Sequence, residues 1–135
     1  MSPSAAEVTA PGRRRLARWL AAILGVFYLV FGVWAFFWPQ SFYEAVASFG
    51  PFNLHFLHDL GAFQIGLGAA LLLALRWHDA LSATLGGVAA GSVMHAVSHV
   101  VDRELGGRPS DPFAVAFIAV LAVVATIAAR SWRGG

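Results

Sequence analysis

Four histidines and two aspartates stand in two short runs, His55-x-x-His58-Asp59 and His95-x-x-x-His99-x-x-Asp102. On a helix, positions i, i+4 and i+7 fall within about 60° of one another. His95, His99 and Asp102 therefore share a face, while His55 and Asp59 lie one turn apart with His58 beside them. Neutral imidazole and carboxylate together suit a single transition-metal ion (zinc, iron, manganese or copper(II)), and the chain has no cysteine to supply a softer thiolate. A His-x-x-x-His pair can chelate one ion from one helical face, and a carboxylate a turn away serves as a further ligand or fixes the imidazole tautomer. Haem held by histidines from two helices is the less favoured alternative. A plainer reading has the histidines bonding only to loops, headgroups or water. The fifth histidine, His78, stands apart and reads as an ordinary loop residue.

The elements that must position these residues are membrane spans. Hydrophobic residues make up 59% of the 135-residue chain and charged residues only 12%, about half the share that covers a soluble domain. A hydrocarbon core of about 30 Å needs roughly 20 apolar residues in a helix. Residues 19–38, 54–75, 80–101 and 112–129 each meet or approach that need. The spacing predicts an all-α, four-transmembrane-helix bundle running up-down-up-down, as one domain over residues 16–133 after a disordered basic tail, 1–15. Pro39 closes the first span. Ser41 with Glu44 fits a capping box that would open a short interfacial helix to Phe49. Gly106-Gly107 turns the outer loop, and Ser110 or Asp111 can cap the last helix, with Pro112 in its first turn.

All nine basic residues are arginine, and their placement sets orientation. Arg13, Arg14, Arg15, Arg18, Arg76, Arg130 and Arg133 fall on one side; Arg103 and Arg108 fall on the other. This assigns both termini to the cytoplasm, the chain to a bacterial-type plasma (inner) membrane, and both histidine runs to the outer half. Trp19, Trp77 and Trp132 would belt the inner interface, and Trp34, Trp38 and Tyr43 the outer one. The first span outruns a signal-peptide core and no small-residue cleavage site follows it. No basic stripe interleaved with aromatic residues points to nucleic acid.

Small residues mark where membrane helices approach closely. Ala83, Gly87, Gly91, His95 and His99 recur every four residues on the third span, which reads as a packing seam that turns both histidines inward. Gly61, Gly66, Gly68 and Ala69 would do the same on the second span, and Ala122, Thr126 and Ala129 on the fourth. Gln64, in mid-span, is expected to hydrogen-bond across the bundle. If the histidine faces of the second and third spans meet, four imidazoles and two carboxylates converge.

The layout resembles the small DoxX-like four-helix membrane proteins. The features that carry this are Phe31-Gly32 with Pro39, the glycine-rich stretch from Leu60 to Gly68, and the short turn into the third span. The likeness covers most of residues 16–130 and implies a four-helix membrane fold with an association to membrane redox chemistry. The histidine pattern is no part of it. Two functions follow from these observations. One is metal-dependent redox or hydrolytic chemistry on a lipophilic small molecule at the outer face. The alternative is a non-enzymatic accessory or a pH- or metal-responsive binding subunit, whose histidines titrate near neutrality. A homodimer or larger membrane complex is the expected assembly, since four short helices bury little core.

Overall fold

A computed structural model of the chain describes residues 5–77 and 79–130. The expected tail's residues 1–4, the loop residue His78, and Trp132 and Arg133 lie outside the described residues. Helices account for nearly all the rest: α1 (Ala5–Phe37), α2 (Pro39–Ala45), α3 (Leu54–Ala74), α4 (Leu81–Val101) and α5 (Asp111–Arg130), with a single 3-10 turn at Arg103–Leu105. Among the described residues there is no strand, only one isolated bridge between Phe49 and Gly106. Four of the helices are long and apolar enough to cross a membrane, so this is an all-helical membrane protein.

The span boundaries match the apolar runs to within a residue or two, except at the start. Residues 5–15, read from the sequence as tail, continue α1 as helix. Arginine, leucine and alanine around residue 15 are strong helix formers, and a helix already nucleated by the span extends at low cost.

The helix after α1 also begins earlier than the capping pattern predicts. It starts at Pro39, whose missing N–H suits a first helical position, and Trp38 caps it without a side-chain bond. Ser41 instead accepts from Trp34 Nε1 at 2.8 Å and donates to the Trp38 carbonyl at 3.1 Å, while Glu44 takes a bond from Gln40. No capping box forms. Asn53 is the true cap on α3, its side chain accepting from the Phe56 N–H at 3.1 Å.

Helix α3 packs chiefly on α1, and α4 chiefly on α5, with α1 and α5 joining the two pairs. The α1–α3 pairing is antiparallel. A side chain on Gly25 would meet Leu72, one on Gly32 would meet Ile65, and one on Gly61 would meet Phe36. The main core lies where Leu24 and Tyr28 of α1 meet Leu71, Leu85, Val88 and Ala122. At the heart of the bundle the Tyr28 hydroxyl lies 2.7 Å from Ser92 Oγ. Ser92 in turn donates to the Val88 carbonyl, so Tyr28 is the donor of the pair. A smaller cluster of Ala35, Phe42 and Leu57 tucks α2 against the ends of α1 and α3.

Candidate functional site

The two histidine runs stand at the same end of the bundle, and they stay separate. In the first turns of α3, His55 Nε2 lies 3.5 Å from Asp59 Oδ2, and both side chains face outward, 88% and 57% exposed. His58 lies beside them and stacks on Phe36 of α1, ring centroids 5.0 Å apart. On α4, His95 Nε2 and His99 Nε2 are 3.2 Å apart. Asp102 caps α4 with its backbone, donating its N–H to the Ser98 carbonyl and accepting from Leu105 N–H. No bond joins the Asp102 carboxylate to either histidine among the described residues.

Among the described residues, no group of three or more histidine, aspartate or glutamate side chains is placed to hold a metal ion. The expected convergence of His55, His58, Asp59, His95, His99 and Asp102 is therefore corrected to two i,i+4 pairs. The reason lies in helix pairing. The buried face of α3 is committed to α1 through Gly61 and Gly68, whose missing side chains let the two backbones meet. Helix α4 is committed to α5, and α3 and α4 touch only lightly.

The small-residue stripe on α4 is corrected with it. Gly87 and Gly91 face open space, with nothing within 4 Å of an added side-chain carbon, and His95 lies on the same exposed side. The buried face of α4 is instead Leu81, Leu85, Val88, Ala89 and Ser92. Gly66 of α3 is likewise open, and among the described residues Gln64 makes no hydrogen bond across the bundle.

Beside His99 lies a contact between two loops that the sequence did not reveal, although it marked the Gly106-Gly107 turn. Arg108, in the loop before α5, donates to the carbonyls of Ala45 and Glu44 at the end of α2. Gly107 N–H donates to the Ser48 carbonyl at 3.3 Å, beside the Phe49–Gly106 bridge. Together these bonds clasp the α2–α3 loop to the α4–α5 loop. Gly107, at φ 83°, lies so close over the Phe49 ring that a side chain there would collide with its tip. The same ring meets His99 edge-on, centroids 5.1 Å apart. A glycine pair followed by arginine in the loop between two helices was the available signal for this clasp.

Chemically, the pair offers two ring nitrogens on one side of one helix. With both rings neutral, one nitrogen donates to the other. With both acting as acceptors, they would present two lone pairs to a common ion. Two imidazoles about 2.0–2.1 Å from a zinc ion at a near-tetrahedral angle stand about 3.3 Å apart, close to the spacing of the pair. No protein-family model, curated protein or solved structure matches this chain.

Proposed function

We propose that this protein is a non-enzymatic subunit of the plasma (inner) membrane, with both termini in the cytoplasm. In this reading it binds a transition-metal ion at its outer face through His95 and His99. The observation that carries it is the 3.2 Å spacing of the two Nε2 atoms on one exposed helical face. Two protein ligands leave the remaining coordination positions to water or to a partner, as suits a responsive binding site. A catalytic zinc centre draws three ligands from the protein, so the redox or hydrolytic reading takes second place. The arginine distribution supports the orientation, and the small core that four short helices bury supports a homodimer or larger membrane complex.

The test is metal binding by the purified chain in detergent, titrated with zinc, manganese, iron(II) and copper(II) and followed by calorimetry and thermal unfolding. At least one of these ions should bind and raise the melting temperature. His95→Ala and His99→Ala should each weaken binding at least about tenfold, because either change destroys the chelate. His55→Ala and His58→Ala should leave it unchanged, because α3 lies apart from the pair. Absence of binding by all four ions, or equal loss in the α3 variants, would overturn the assignment.

A further inference from the structure

The opposite end of the bundle carries a charged surface that neither the fold nor the metal reading uses. Arg18 Nη1 of α1 donates to the Leu75 carbonyl at the end of α3, at 2.9 Å. A short turn leads from there into α4, where Ser82 Oγ reaches the Ala129 carbonyl at the end of α5. These contacts gather the start of the α1 span, the ends of α3 and α5, and the start of α4 into one bundle end. Arg13, Arg15, Arg76 and Arg130 all project from it, exposed and with no carboxylate partner among the described residues. The turn contributes one carboxylate, Asp79, which pairs with none of them.

Depth is fixed by a second, independent feature. Trp19 and Trp77, each next in sequence to an arginine of this end, are 65% and 59% exposed. Indole rings settle at the headgroup level of a bilayer, so the tryptophans place the guanidinium groups among the lipid phosphates. Arginine presents a planar fork of donors that pairs with phosphate oxygens in two parallel bonds. We propose that this end is a docking surface for the phosphate headgroups of anionic phospholipids in the leaflet it meets. Four guanidinium groups without a carboxylate partner among the described residues, on three separate helix ends, make a surface broad enough for more than one lipid. The inference rests on the membrane spans alone and is independent of the metal site.

The test reconstitutes the full chain in vesicles of equal phosphatidylglycerol and phosphatidylcholine, extracts it in mild detergent, and counts the lipids it retains. Phosphatidylglycerol should be enriched several-fold. Arg76→Gln should lower the enrichment by up to about fivefold at low salt, and the quadruple variant R13Q/R15Q/R76Q/R130Q should abolish it, while R103Q at the other end keeps it. Should the quadruple variant fail to fold, a salt series on the unaltered chain decides. Enrichment should vanish towards about 1 M salt, where the screening length falls to about 3 Å. Equal retention of both lipids, or an enrichment that survives both the variant and the salt, would overturn the proposal. Displacement of the lipid by inorganic phosphate, but not by chloride at equal ionic strength, would reassign the surface to free phosphate and overturn it as well.

Discussion

Two glycine-bearing regions of this protein look alike in sequence and behave oppositely in the fold. On the α1–α3 seam, Gly25 and Gly32 face Gly61 and Gly68, each pair seven residues apart. A side-chain carbon on Gly32 would lie 2.6 Å from the Ile65 nitrogen, and one on Gly61 would lie 2.7 Å from the Phe36 nitrogen. On α4, Gly87 and Gly91 stand four residues apart, the denser small-residue pattern of the two, yet meet nothing within 4 Å. Small residues permit close approach; they bring it about only where a second stripe faces them in register. In lipid, where hydrocarbon tails are as apolar as leucine, that backbone contact and its van der Waals energy are the main drive for pairing. The α1–α3 seam has both halves of the arrangement, and α4 has one.

The sharpest way to break this comparison is to add bulk on each side of it. Gly61→Leu should cost about 3 kcal/mol or more, at the upper end of overpacking, because the obstructing atoms are backbone and cannot swing aside. Thermal unfolding in detergent reads this directly, and a stable Gly61→Leu variant would refute the seam. A smaller effect belongs to the interior bond that ties α1 to α4. Ser92→Ala strands the Tyr28 hydroxyl and should cost about 1 kcal/mol. Tyr28→Phe removes only the donor, leaves Ser92 bonded to Val88, and should cost about 0.6 kcal/mol. A double-mutant cycle should show the two coupled; simple additivity would mean that the bond contributes nothing. The smallest effect is expected at Gly91→Leu, within about 0.5 kcal/mol of the unaltered chain, as for a substitution on an open surface. A loss there as large as that at Gly61 would mean that another chain sits on the α4 face.

This contrast also explains what was legible in the sequence. Span positions were, because an uncharged run such as 19–38 has one physical destiny in lipid, and α3 and α4 begin and end within a residue of their apolar runs. The turn at Gly106-Gly107 was also legible, and both glycines do adopt positive φ. The i,i+4 geometry of His95 with His99 followed from helix periodicity alone. Partner choice was the part that stayed hidden. Periodicity shows that a helix has a small face without showing which neighbour that face meets. The convergence of six ligands depended on α3 meeting α4, and Gly61 and Gly68 had already committed α3 to α1. The Arg108 clasp was missed for a related reason: its acceptors are backbone carbonyls of Glu44 and Ala45, which no sequence pattern marks.

Everything placed at the outer or inner face depends on the chain crossing the membrane four times with its arginine end inside, and one measurement tests that directly. The sequence contains no cysteine, so single cysteines can be introduced on a clean background and labelled in intact cells with a membrane-impermeant maleimide. Phe52→Cys and Glu104→Cys should label from outside. Gly12→Cys, Trp77→Cys and Arg130→Cys should label only after the membrane is opened. Labelling of Trp77→Cys in intact cells, or protection of Glu104→Cys, would contradict the four-span account and move the His95–His99 pair away from the outer face.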